Sequence, residues 1–163
     1  MRRSFDDIFA EHGPAIARVV ANYTDQGADR EDLLQDAWVT IWRSHKHFLG
    51  ESALGTYLLR IAHNRSATWL RRSQRKLKLE DEQIEVAGIE VNPEVDASGQ
   101  QKALRLMEAI RTLPLKQRQT VSLVLEGLNY KEVGEVLELS ENTDGVRVHR
   151  AWQKIRSAME RCD

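Results

Sequence analysis

Two groups of side chains in this sequence have types and spacing suited to chemistry, and both are cationic. Thr143, Arg147, Arg150 and Lys154 recur at three- and four-residue intervals, so on a helix they share one face. Val146 lies beside them and His149 at the edge. Tyr57, Arg60, Asn64, Thr68, Arg71, Arg75 and Lys78 share a face in the same way. Lys and Arg neutralise phosphates, an aromatic ring stacks on an unpaired base, and Asn hydrogen-bonds a base edge. The chemistry on offer is therefore noncovalent recognition of nucleic acid, with a merely solvated basic face as the alternative in each case. Covalent chemistry is not expected, because no phosphate-binding glycine loop and no plausible nucleophile–base pair occurs. A metal is not expected either. His45 and His47 lack a third spaced ligand, and Cys162 stands next to the last residue. No cofactor is expected.

The composition supports a helical, water-soluble chain. Of 163 residues, 41% are hydrophobic and 30% charged, with three prolines and little strand-like alternation. No apolar run is long enough to span a bilayer, and Met1-Arg2-Arg3 does not open a signal peptide. A single cysteine cannot form an internal disulfide, which fits a reducing cytoplasm. The net charge of −1 argues against a coat protein for nucleic acid, but it hides a division. Residues 52–79 carry seven basic residues (Arg60, Arg65, Arg71, Arg72, Arg75, Lys76, Lys78) and no acid. Residues 80–100 carry seven acids (Glu80, Asp81, Glu82, Glu85, Glu90, Glu94, Asp96) and no base.

Several helices must position these faces. Phe5 to Tyr23 has helical apolar spacing, with Gly13-Pro14 expected to bend or split it. A helix is expected from Asp29, with Leu33, Leu34, Ala37, Trp38, Ile41 and Trp42 toward the core. Its other side shows Asp32, Gln35, Asp36, Val39 and Arg43, either a solvated face or a docking surface. His45 to Gly50 reads as a loop. Ser52 or Thr56 is expected to cap a long helix to about Lys78, its apolar side Leu58, Ile61, Ala62 and Trp69. The acidic stretch with Pro93 and Gly99 reads as a flexible linker between two domains.

Helices resume at Gln101 and again at Leu113-Pro114, the latter ending at Gly127. Asn129 and Glu132 form a capping box for a short helix with Val133, Val136 and Leu137 buried and Gly134 at a close approach. Ser140 caps the last helix, whose core stripe is Val148, Trp152, Ile155 and Met159. The two final helices make a helix-turn-helix, the second entering a DNA groove. The expected fold is all-α: two small helical domains, 1–78 and 101–163, joined by a linker over 79–100.

Two segments together resemble one family. Asp29 to Trp42 (DREDLLQDAWVTIW), Phe48 to Arg72 (FLGESALGTYLLRIAHNRSATWLRR) and the opening FDDIFAEHGPAI resemble region 2 of the bacterial extracytoplasmic-function (ECF, group 4) sigma factors of the sigma-70 family. Leu113-Pro114 through Arg118, with Leu125 to Val133 and His149-Arg150-Ala151, resembles their region 4. The resemblance implies a subunit that binds the RNA polymerase core and directs promoter-specific initiation. It places docking on the β′ clamp at Asp32, Gln35, Asp36 and Arg43. It places capture of the opened −10 strand at Phe48, Gly50, Glu51, Ser52, Tyr57, Arg60, Asn64 and Arg71. Duplex reading of the −35 element falls to Thr143, Val146, Arg147, His149, Arg150 and Lys154, with a further contact to the β flap. An anti-sigma partner is implied as well. The rival reading is a stand-alone helix-turn-helix regulator on a palindromic duplex, which leaves the Asp29 helix and the Tyr57 stripe unexplained.

The chain departs from the family pattern at four positions. Thr68 stands where Asp is common, Glu138 where the turn often has Gly, Asp144 where an apolar residue is usual, and Gly145 in place of a common Lys. A left-handed Glu costs about 1 kcal/mol or more, so either the turn is built differently or stability is lost. Loss of a Lys removes one phosphate contact.

Overall fold

The computed structural model of the chain describes residues 3–24, 27–80, 98–139 and 141–160. Among these residues all regular structure is helical. Helix α1 (Phe5–Val20) is capped by the Ser4 hydroxyl, which accepts from the Asp6 amide at 3.3 Å. Asp6 and Asp7 complement the helix dipole in its first turn. Of the bend or split expected at Pro14, no split occurs: α1 runs through it. The missing amide of Pro14 removes one helix hydrogen bond, and Ile8, Ile16, Val19 and Val20, on both sides of it, are all buried.

Helix α2 (Gly27–Ser44) begins two residues before the expected start and buries Leu33, Ala37 and Ile41. A 3-10 turn follows at His45–His47. Helix α3 (Leu54–Glu80) starts between the two candidate caps, so neither serves. The Ser52 hydroxyl donates to the Ala53 carbonyl at 3.4 Å, and Thr56 lies inside the first turn. Among the described side chains of α3, Thr56, Leu58, Leu59, Ala62 and Ser66 are buried, while Ile61 and Trp69 are half-buried. The core is thus wider than the expected face. Past Leu70 the helix runs out among exposed cations (Arg71, Arg72, Arg75, Lys76).

Helix α4 (Ser98–Arg111) begins three residues earlier than expected; residues 81–97 of the expected linker lie outside the described residues. Pro114 is the N-cap of α5 (Leu115–Leu125), and Gly127, with φ at +91°, turns the chain toward α6 (Tyr130–Leu137). The capping box is present in full: Asn129 Oδ1 accepts from the Glu132 amide and Glu132 Oε2 from the Asn129 amide, each at 2.9 Å. Gly134 is buried, with its carbonyl accepting from Leu139 at 2.9 Å. Helix α7 (Glu141–Glu160) completes the helix-turn-helix. The expected cap Ser140, and the side chains of Asp144 and Met159, lie outside the described residues.

Two apolar cores result. One joins α4, α5 and α7 through Ala109, Ile110, Leu113, Val121, Ala151 and Ile155. The other is built by α1, α2 and α3, yet it also takes in Leu123 of α5 and Val133 and Val136 of α6. The two domains are therefore packed against each other. Burying a Val or Leu side chain is worth roughly 1.5–3 kcal/mol, against about 0–1 for an exposed ion pair. Apolar burial holds the seam, and polar contacts fix its register. Arg18 makes a two-pronged pair with Glu126 at 2.5 and 2.7 Å, and Arg118 donates to the Asn22 carbonyl at 3.3 Å. Within the seam the Tyr23 hydroxyl meets His63 Nδ1 and a Gln119 side chain.

Burial of His63 lowers its pKa to about 4, although Glu138 opposes this by attraction and Arg71 adds repulsion. The folded chain thus keeps His63 neutral where the unfolded chain, at an ordinary value near 6.5, takes up a proton. Stability falls as pH drops from 6.5 to 4, by roughly 3 kcal/mol from this group, and is unaffected above 6.5. Urea unfolding at pH 7.5 and pH 4.5 should show a smaller acid loss for His63→Gln than for the native chain; equal losses would remove His63 from the account.

Candidate nucleic-acid interfaces

The chain leaving the 3-10 turn is fixed at Phe48, whose amide donates to the His45 carbonyl at 3.4 Å. The Phe48 ring packs on Tyr57 of α3, centroids 5.0 Å apart, and the Tyr57 hydroxyl donates to the Ser44 carbonyl at 3.4 Å. Tyr57 is therefore half-buried and held from both ends, not a free stacking ring. Gly50 has φ at +76° and open space around it, so backbone conformation, rather than crowding, requires glycine there. The loop closes over a cleft of about 320 Å³ lined by Phe48, Leu49, Glu51, Ser52, Thr56, Tyr57 and Arg60. That volume is within the range of ligand-holding pockets, about 300–1,000 Å³. Leu49 stands 83% exposed at its rim.

Along α3 from this cleft, Arg60, Asn64 and Arg71 are exposed. Thr68, the residue that departs from the family pattern, donates to the Asn64 carbonyl at 2.9 Å and accepts from Arg71 at 3.4 Å. Arg65 faces elsewhere: it grips Asp36 of α2 with two hydrogen bonds of 2.6 and 3.0 Å. That contact raises the Arg65 pKa through the Asp36 hydrogen bond and attraction, with burial pulling the other way.

On α2, Asp32, Gln35 and Arg43 are exposed, whereas Asp36 is half-buried and committed to Arg65. Beside them lie two exposed apolar side chains, Val39 on the face expected to be open and Trp42 against expectation. Val39 is 46% exposed; Trp42, expected in the core, is 53% exposed, with the Lys46 ammonium 5.7 Å from its ring centroid. Trp42 sits at the edge of the helical stripe, where spacing alone does not decide burial.

In the helix-turn-helix, Glu138 is left-handed, φ 56° and ψ 47°. The turn is thus built in the usual way despite its side chain, at a cost of about 1 kcal/mol. Its carboxylate lies 3.6 Å from Arg60. On α7, Thr143, Val146, His149, Arg150 and Lys154 are exposed and Arg147 is half-buried. Val148, Ala151 and Ile155 are buried on the other side, so α7 presents a convex cationic face backed by core. An added Cβ at Gly145 would meet nothing within 4 Å.

Comparison with known proteins agrees with this architecture. The Sigma-70 region 2 family model matches residues 8–76, and that of Sigma-70, region 4 matches residues 103–155. The RNA polymerase sigma factor CarQ of Myxococcus xanthus is 26% identical over 157 residues, covering 96% of this chain and 89% of its own length. The ECF RNA polymerase sigma-E factor of Escherichia coli K12 is 26% identical over 169 residues, covering 98% and 88%. Among solved structures, the sigma factor RpoE from Bartonella quintana, crystallised with the anti-sigma factor NepR, superposes with a TM-score of 0.79 at 22% identity, covering 96% of each chain. CnrH, solved with the cytosolic domain of CnrY, gives 0.67 at 20% identity, covering 98% of this chain and 89% of that one. The chain belongs to the extracytoplasmic-function group of sigma-70-type RNA polymerase sigma factors, proteins that direct promoter-specific initiation of transcription.

Proposed function

We propose that this sigma factor divides promoter reading between two surfaces of opposite shape. The observation that carries this is their coexistence on one chain: a concave, aromatic-floored cleft beside exposed cations, and a convex cationic helix. The cleft and loop (Phe48, Gly50, Glu51, Ser52, Tyr57), with Arg60, Asn64 and Arg71, take the opened −10 strand. Extruding a base costs a few kcal/mol, which a stacked floor and hydrogen bonds offset. The α7 face (Thr143, Val146, Arg147, His149, Arg150, Lys154) lies in the major groove of the −35 duplex. Asp32, Gln35, Asp36 and Arg43 dock on the β′ clamp, with exposed Val39 and Trp42 adding apolar contact. The helix-turn-helix domain also touches the β flap. The factor carries out no covalent step, works in the cytoplasm and is held in check by an anti-sigma partner.

In-vitro transcription with core polymerase on a promoter pool, followed by sequencing of transcript starts, tests the whole reading; absence of factor-dependent starts would reject it. Asp32→Lys is a clean probe of docking, since Asp32 is exposed, whereas Asp36→Lys would also break the bond to Arg65. Asp32→Lys should abolish co-purification with core polymerase at an unchanged melting temperature. Arg147→Ala should cost about 1–3 kcal/mol and relax promoter choice, and a uniform loss over all promoters would make Arg147 a phosphate contact. Gly145→Lys fits the space at that position and replaces a helix-interior glycine. It should stabilise the chain by about 1 kcal/mol and tighten duplex binding in gel shifts, more so at low salt.

A further inference from the structure

Asp36 differs from the other residues assigned above to docking. Asp32, Gln35 and Arg43 are exposed, whereas Asp36 is half-buried and held from α3. Arg65 Nε donates to Asp36 Oδ2 at 2.6 Å, and a terminal Arg65 nitrogen donates to Oδ1 at 3.0 Å. Both carboxylate oxygens are gripped, so the plane of the carboxylate follows the plane of the guanidinium. Each oxygen has two acceptor sites, and each therefore keeps one for a partner. The Asp36 backbone is held as well, since its carbonyl accepts from the Thr40 hydroxyl at 2.9 Å. Arg65 in turn differs from its neighbours on α3. Arg60, Arg71, Arg72 and Arg75 are exposed, while Arg65 is half-buried. It directly follows Asn64, which belongs to the strand-binding set.

The fold does not account for this contact. Helices α2 and α3 are already joined by Leu33, Ala37, Ile41, Leu58 and Ala62, which share one core. The Arg65 and Asp36 side chains are 39% and 44% exposed, and an ion pair that open adds little to stability. What it adds is order, because a carboxylate held at two points has lost the rotamers of a free aspartate. We propose that Arg65 is a positioning residue for core-polymerase docking: from the strand-reading helix it holds the Asp36 carboxylate in the orientation that the polymerase meets. The proposal rests on the docking assignment of Asp36 made above. A free side chain would adopt that orientation only part of the time, and affinity would fall by that fraction. Arg65 removes the loss before the encounter. Its charge acts the other way, since it offsets the carboxylate that draws in a basic partner. Charge governs how fast a complex forms, and orientation governs how long it lasts. The two effects therefore separate in the kinetics.

The test uses full-length protein labelled at its single cysteine, Cys162, and mixed with core polymerase in stopped flow, with fluorescence anisotropy as the signal. The variants are Arg65→Gln, Arg65→Lys, Asp36→Ala and the double variant Arg65→Gln with Asp36→Ala. Melting temperatures are measured alongside. Arg65→Gln should speed dissociation by roughly three- to tenfold, without slowing association and at a nearly unchanged melting temperature. Arg65→Lys keeps the charge without the two-pronged grip, so it should not restore the native dissociation rate. In the Asp36→Ala background, Arg65→Gln should have no further effect, as expected of a residue that acts through Asp36. Native dissociation in Arg65→Gln, native dissociation in Arg65→Lys, or an Arg65→Gln effect that persists in full without Asp36 would each overturn the proposal. Faster dissociation that comes with a large drop in melting temperature would overturn it too, by making the contact structural. If Asp36→Ala itself leaves dissociation unchanged, the docking assignment of Asp36 fails, and the proposal fails with it.

Discussion

The apolar seam between the two domains is the constraint on which the rest of the structure depends. Leu123, Val133 and Val136 come from the C-terminal domain, yet they complete the core begun by α1, α2 and α3. Leu59 of α3 is buried in this same shared core. Burial of these residues brings Arg18 to Glu126 and Arg60 to Glu138. Neither of these polar contacts is strong enough alone to hold two domains together. They are the consequence of the apolar fit, and they give it a single register.

What was legible in the sequence was what repeats locally. Helical period placed the α7 stripe at Val148 and Ile155, the capping box at Asn129 and Glu132 came from a four-residue pattern, and Gly127 marked a helix end. The misses share a cause, which is a partner far away in the chain. Leu59 and His63 lie off the apolar face given by the helix projection, because what covers them is far away in the chain: Tyr23, 40 residues upstream, meets His63, and residues of α5 and α6 complete the core that includes Leu59. Asp36 read as a docking acid with nothing to hold it, whereas Arg65 holds it in place. Thr56 read as a cap, and its hydroxyl turns instead to Glu132, 76 residues away. The binding surfaces were legible as charge and face. The cleft was legible only through the family resemblance, which placed strand capture at the 48–52 loop; the Phe48–Tyr57 packing in its wall is something no periodicity encodes.

Local strain and long-range charge meet at one turn. Glu138 carries a left-handed backbone that glycine would adopt freely, so the helix-turn-helix alone is less stable than it could be. The same side chain attracts Arg60 and bears on His63. The chain gives up about 1 kcal/mol of turn stability and gains a charged side chain at the domain boundary. Gly145 departs in the opposite sense, trading helix propensity and a cation for open space at the start of the recognition helix. Both departures fall in the C-terminal domain, and Glu138 reaches from there to Arg60 and His63.

The packing of Phe48 on Tyr57 carries a kinetic consequence. Both rings are ordered by contacts within the chain, one by its partner ring and the other by the Ser44 carbonyl as well. Under the proposed reading, a base that lands on this floor does not have to organise it, because the loss of rotational freedom was met when the chain folded. A prepared floor of this kind accepts right and wrong bases at similar encounter rates. Discrimination between promoters then lies in how long the strand stays, so the factor would sort promoters by residence time.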